Sequence, residues 1–213
     1  MLESEVTAMG VLSDHWDSVY GALPVDELSW FQAEPTRSLE LIRSLRPRPT
    51  SVIDVGAGAS LLADRMVDDG VDRVTVLDIS ERALASASER LGDHPEVSFV
   101  VADVTGWIPQ QTWDLWHDRA VFHFLTEPAD RTAYTKICAQ AVVPGGVAVI
   151  GCFALGGPTH CSGLPIVQYG PETLAAEFSP EFELERSEHE VHRTPSGVTQ
   201  PFTWVVMRRR PQA

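Results

Sequence analysis

The sequence is poor in cysteine, in basic charge and in long apolar runs, and each shortage removes a class of protein. Three cysteines (Cys138, Cys152 and Cys161) in 213 residues are too few for a disulfide scaffold, and their odd number suits a reducing compartment. Sixteen Lys and Arg against thirty Asp and Glu leave a formal charge of −14. That balance argues against a partner gripped through its phosphates, so no nucleic acid is expected. No run approaches the roughly 18–20 apolar residues that a membrane span needs. No basic-then-apolar secretory block opens the chain, and no internal repeat or low-complexity tract interrupts it. A cytoplasmic protein without membrane attachment is the expectation. What is present is an ordinary globular composition, 44% hydrophobic and 22% charged. The length suits one domain and buries a core without staples.

Residues 1–13 carry little pattern and are expected to be loosely ordered. An aromatic-rich stretch follows, with Trp16, Tyr20, Trp30 and Phe31, and then Leu39, Leu41, Ile42 and Leu45 repeat at helical spacing until Pro47 and Pro49. From Ser51 the pattern alternates. Strands are expected at Ser51–Val55, Val74–Asp78, Val97–Val101, Trp113–His117 and Val147–Phe153. Helices are expected through Leu61–Met66, from a Ser80 cap through Leu91, and from Pro128 to Val142. Past a long irregular connection at 156–165, Pro171–Phe178 reads as a helix, and Phe182–His192 with Gln200–Met207 as a hairpin of strands. The prediction is an α/β fold: a doubly wound, mostly parallel sheet of about seven strands with an antiparallel last strand and helices on both faces.

The most informative segment is Asp54-Val55-Gly56-Ala57-Gly58, which ends a strand and opens a helix. There a Gly-x-Gly turn lets backbone approach a ligand closely. Asp78 ends the next strand twenty positions after Gly58, the place where an acid accepts hydrogen bonds from ribose hydroxyls. The third glycine of a dinucleotide fingerprint is missing, because Leu61 stands at its position. Asp54 adds negative charge at the loop, which is unfavourable beside a pyrophosphate and favourable beside an ammonium or sulfonium. A cationic nucleoside without phosphates fits better than a nicotinamide dinucleotide, and S-adenosylmethionine (SAM) is such a molecule.

With Asp103 in Val101-Ala102-Asp103-Val104 and the turn Pro144-Gly145-Gly146, these segments resemble the successive motifs of class I SAM-dependent methyltransferases. The resemblance runs from about His15 to the end. It implies one domain over 1–213: a helical lid at 14–50, a SAM-binding core at 51–153 and an acceptor side at 154–213. It also implies that Gly56, Ala57 and Gly58 hold the methionine moiety beside Asp54, that Asp78 holds the ribose, and that Asp103 meets the adenine between Ile79 and Val104. Trp16-Asp17-Ser18-Val19-Tyr20, Trp30-Phe31 and the stretch His117-Asp118-Arg119-Ala120 are similar to elements of protein-lysine methyltransferases. Trp16, Tyr20 and Trp30 are then expected to close over the sulfonium, since aromatic faces stabilise cations.

Methyl transfer is an in-line displacement that asks for alignment, exclusion of water and a competent nucleophile. Asp118, at a strand end, is expected to touch cofactor or acceptor, and His117 and His123 are candidate bases. The acceptor is left as a protein lysine or a small molecule. A thiol, selenium or tellurium nucleophile is the alternative within the fold, and a non-catalytic SAM-binding regulator the alternative outside it. No metal is expected: sulfonium is already an activated leaving group, and His189 and His192 lie three apart on a strand and face opposite ways. Cys161 and His160 are placed in the loop that walls the acceptor pocket. The oligomeric state is not legible.

Overall fold

The computed structural model describes residues 2–211, with side chains from residue 11 onward. In chain order the elements are α1 (Leu2–Ala22), α2 (Thr36–Ser44), β1 (Ser51–Val55), α3 (Leu62–Asp68), β2 (Arg73–Asp78), α4 (Glu81–Leu91), β3 (Val97–Val101) and β4 (Trp113–Arg119). They continue with α5 (Pro128–Ala141), β5 (Val142–Phe153), the two-residue strands β6 (His160–Cys161) and β7 (Leu164–Pro165), α6 (Pro171–Glu177), β8 (Phe182–Arg193) and β9 (Thr199–Arg209). Seven strands form one sheet in the order β3-β2-β1-β4-β5-β9-β8. The first five are parallel, and β9 runs antiparallel between β5 and β8.

Strand alternation divides the core in two. Ile53, Trp116, Ile150 and Val205 face one way, onto Tyr134, Ile137 and Cys138 of α5 and Leu174 of α6. Val52, Leu115, Val149 and Val206 face the other, onto Leu39 and Ile42 of α2, Met66 of α3 and Leu84 of α4. Helix α4 starts where Ser80 Oγ accepts the Ala83 N–H at 3.0 Å, the cap expected from its position. The order of the strands reverses between β1 and β4. Crossovers leave in opposite directions there, and the carboxyl ends of the strands open onto a crevice.

Three expectations change. Residues 2–13, expected to be loosely ordered, are the first turns of α1, whereas Met1 lies outside the described residues. Strand β5 starts at Val142, so Pro144-Gly145-Gly146 is an irregularity inside it; the register to β4 slips between Trp113 and Leu115, and Gly145 has φ of 81°. The connection at 156–165 is a small hairpin whose loop, Ser162 (φ 49°) and Gly163 (φ 80°), is left-handed at both positions, as a two-residue turn requires.

Candidate functional site

The crevice at the β1–β4 reversal holds a cavity of about 360 Å³. Its first wall is the loop after β1. Gly56 and Gly58 have φ of 62° and 54°, where a side chain is strained, and contact forbids one as well. A Cβ on Gly56 would lie 1.9 Å from Val121 Cγ2, and one on Gly58 would lie 1.9 Å from the Tyr20 hydroxyl. The loop is pinned to β2 through the Gly56 N–H and the Leu77 carbonyl at 2.7 Å.

Asp78 Oδ2 accepts the Gly58 N–H and Oδ1 accepts the Ser80 N–H, both at 2.8 Å. Burial raises its pKa to about 6, against the pull of these donors, and the charge of Asp54 adds to the rise. Asp103 Oδ1 accepts from Thr105 N and Oγ1 at 2.8 and 2.7 Å. Gly56, Asp78, Ile79, Asp103 and Val104 all line the cavity.

Asp54 lies below the loop. Residues 54 and 117 are directly paired across β1 and β4, which brings Asp54 Oδ1 to 2.7 Å from His117 Nδ1. His117 Nε2 in turn meets Ser38 Oγ of α2 at 2.9 Å. The second oxygen, Asp54 Oδ2, is buried without a hydrogen-bond partner among the described residues. It belongs to a side pocket of about 50 Å³ that Gly56, Ala57 and His117 also line.

The lid comes from α1 and the segment after it. Trp16 stands edge-on to Trp30 and to Phe124, at 5.9 and 5.2 Å between ring centres, and Tyr20 stands edge-on to Trp30 at 5.8 Å. All four line the cavity. Burial raises the Tyr20 pKa, and the nearby Asp78 adds to it. Asp17, between the two lid aromatics, accepts the Ser80 hydroxyl at 2.6 Å, and Ser13 Oγ donates to the Ile79 carbonyl at 3.3 Å. The lid is thus tied to the turn that carries Asp78. Sequence reasoning missed this role of Asp17, although it falls in the same short motif.

Two of the expected catalytic residues are elsewhere. Asp118 is fully buried and outside the cavity wall. Its oxygens accept the N–H groups of Val121 and Phe122 at 2.8 and 3.0 Å and the Tyr134 hydroxyl at 2.5 Å. The carboxylate therefore builds the turn after β4, and burial raises its pKa to about 6. His123 is also fully buried, packed against Phe124 and Phe153. Its Nδ1 accepts the Phe153 N–H at 3.3 Å. Burial, reinforced by the Arg119 charge, lowers its pKa to about 3, so it is neutral at physiological pH. His117 is engaged with Asp54 and Ser38, below the glycine loop.

A further part of the wall comes from the loop expected to face the acceptor, through Cys161, Leu164 and Pro165 of the β6–β7 hairpin. Arg119, the last residue of β4, lines both the cavity and the side pocket. Among the described residues no group of three His, Cys, Asp or Glu is placed to hold a metal ion. His189 is exposed, whereas His192 is buried and its Nε2 lies 2.9 Å from the Ser29 carbonyl.

The donor set suits a cationic nucleoside: a bare backbone turn, three carboxyl groups (Asp54, Asp78 and Asp103), an orphaned anionic oxygen at Asp54 and a cap of aromatic edges and faces. Residues 52–146 match the family described as "Methyltransferase domain". The chain is 40% identical over 114 residues to thiocyanate methyltransferase 1 of Arabidopsis thaliana, covering 52% of this chain and 46% of that protein. It is 26% identical over 108 residues to malonyl-[acyl-carrier protein] O-methyltransferase 1 of Ilyobacter polytropus, covering 50% and 40%. The chain thus spans about half the length, or less, of these curated relatives. Among solved structures it resembles the 1,6-didemethyltoxoflavin-N1-methyltransferase of Burkholderia thailandensis, crystallised with 1,6-didemethyltoxoflavin and S-adenosylhomocysteine. The TM-score is 0.76 at 22% identity, over 98% of this chain and 90% of that one. Residues 52–146 thus match a methyltransferase domain, and the seven-strand sheet has the Rossmann-like fold of the solved SAM-dependent methyltransferases that the chain resembles.

Proposed function

We propose that the protein transfers the methyl group of SAM to a small-molecule acceptor. The observation that carries the reading is one cavity lined together by Gly56, Asp78 and Asp103, by the lid aromatics Trp16, Tyr20 and Trp30, and by Cys161, Leu164 and Pro165 of the β6–β7 hairpin. When bound, SAM supplies a sulfonium methyl group open to in-line displacement. Asp78 accepts the ribose hydroxyls, Asp103 meets the adenine between Ile79 and Val104, and the orphaned Asp54 oxygen takes the α-ammonium. Trp16, Tyr20 and Trp30 exclude water and face the positive charge.

Small acceptors fit a cavity of about 360 Å³ walled by a hairpin better than a protein lysine presented on a folded surface. Relatives named for thiocyanate and a neighbour crystallised with 1,6-didemethyltoxoflavin support the same direction. A purely regulatory SAM binder has no use for a walled acceptor space beside the cofactor residues. The test is incubation with methyl-labelled SAM and a cell lysate, followed by separation by size. Label in the low-molecular-mass fraction supports the proposal, and label confined to protein overturns it.

A further inference from the structure

We propose that the acceptor is a small monoanionic nucleophile and that Arg119 is the group that binds it; the inference rests on the methyltransferase reading. Strand alternation sends Asp118 toward α5 and Arg119 to the opposite face, beside Trp30 and β9. Arg119 Nη1 donates to the Trp30 carbonyl at 2.9 Å, and its Cζ stands 4.9 Å from the centre of the Phe202 ring. Its Nε and Nη2 are buried and have no hydrogen-bond partner among the described residues. No carboxylate among the described residues forms an ion pair with it. The oxygens of Glu190 are occupied, Oε1 by Gln32 Nε2 at 3.3 Å and Oε2 by Trp204 Nε1 at 2.8 Å.

A guanidinium with two enclosed nitrogens, Nε and Nη2, whose N–H groups have no partner is costly to hold. An anion arriving in the cavity that Arg119 lines removes that cost, through the charge-assisted bonds the guanidinium fork is shaped to make. The rest of the cavity agrees. The two candidate bases are buried off the cavity wall: His123 is neutral, with its pKa lowered to about 3 by burial, and Asp118 is consumed by Val121, Phe122 and Tyr134. Among the described residues the only acid lining the cavity besides Asp78 and Asp103 is Asp130, exposed on α5, and an anionic nucleophile needs no base. Its lone pair forms the bond to the methyl carbon as the carbon–sulfur bond breaks. The bonding pair returns to sulfur, leaving a neutral thioether and a neutral methylated product, and no proton moves. Merging opposite charges in a space of low polarity is favoured.

Thiolates, pseudohalides and carboxylates share this chemistry, and a panel of acceptors separates them. Thiocyanate, thiophenol and benzoate are compared with benzylamine by S-adenosylhomocysteine formation, while calorimetry measures SAM affinity, for the wild type, Arg119→Met and Arg119→Lys. At least one of the three anionic acceptors is expected to turn over in preference to benzylamine. Loss of a charged hydrogen-bonding partner in Arg119→Met should raise its KM by about 10-fold to 100-fold, and Arg119→Lys should recover part of that. SAM affinity should stay within about 2-fold, and the melting temperature of Arg119→Met should not fall, because an unpaired buried charge is removed. A structural arginine would instead lower the melting temperature and leave KM alone. Preference for benzylamine, or an Arg119→Met enzyme with weakened SAM and unchanged acceptor KM, would overturn the inference while leaving the methyltransferase reading in place. A wild type that does not bind SAM overturns both.

Discussion

The Gly58 N–H donates to Asp78 Oδ2 across 2.8 Å, so the carboxyl that ends β2 is fixed to the loop that leaves β1. The two parts of the cofactor wall are one hydrogen-bonded unit. Asp78→Ala is expected to weaken SAM by about 1–3 kcal/mol, since a ribose hydroxyl and a loop N–H both lose their acceptor. Calorimetry on the folded variant checks this, and wild-type affinity would remove Asp78 from the ribose.

Acid and base titrations oppose each other in this core. Asp78 and Asp118 rise from 3.8 to about 6 on burial, so the folded state binds more protons than the unfolded chain between those values. Their contribution to stability is complete below about 3.8 and is lost as pH rises through about 6. His123 falls from 6.5 to about 3, so its contribution is present above 6.5 and is lost as pH falls toward 3. His123→Asn keeps an acceptor near the Phe153 N–H and removes only the histidine titration. The stability difference between wild type and variant should therefore shrink as pH is lowered from 7 to 4, in melts at matched ionic strength. A constant difference would show that His123 titrates normally.

Gly58 and Tyr20 compete for one volume. Gly58→Ala should destabilise the protein and displace the Tyr20 hydroxyl, whereas part of that cost should vanish in a Tyr20→Ala background. We expect a coupling of about 0.5–3 kcal/mol, the range for residues in contact. Denaturant melts of the four proteins read it directly, and additive effects would mean that strain at φ 54° alone governs the site.

Asp118→Asn should act on the fold. An amide leaves one of three donors, the Val121 and Phe122 N–H groups or the Tyr134 hydroxyl, without its acceptor, at a cost of about 1–3 kcal/mol. Turnover per folded molecule should change little. A loss of about 10²-fold or more, the scale of a missing acid–base group, with unchanged stability would instead place the carboxylate in the reaction.

The contrast between Asp118 and its neighbour shows where sequence reasoning stops. The parallel strands, the glycine loop and Asp78 were legible because each rests on local spacing: β-branched runs, a turn only glycine tolerates and an acid twenty residues on. Which of 117, 118 and 119 faces the cavity depends on the phase of the β4 pleat against β1, β5 and β9, a property of pairing partners far away in the chain. Adjacent charged residues looked like one catalytic cluster and are separated onto opposite faces. The β6–β7 hairpin was missed for another reason, since two-residue strands carry no periodicity. The start of α1 was missed because its sequence has only a weak apolar stripe.

The bond from Ser80 Oγ to Asp17 at 2.6 Å gives α1 a second meaning. The helix that roofs the crevice is latched to the turn that carries Asp78, so under the proposed reading a spent nucleoside is expected to leave after the latch opens. If opening of that latch limits product dwell, rapid-mixing experiments are expected to show a first-turnover burst followed by a slower steady phase. Asp17→Ala, which touches neither substrate, should shorten the dwell and flatten the burst while weakening SAM.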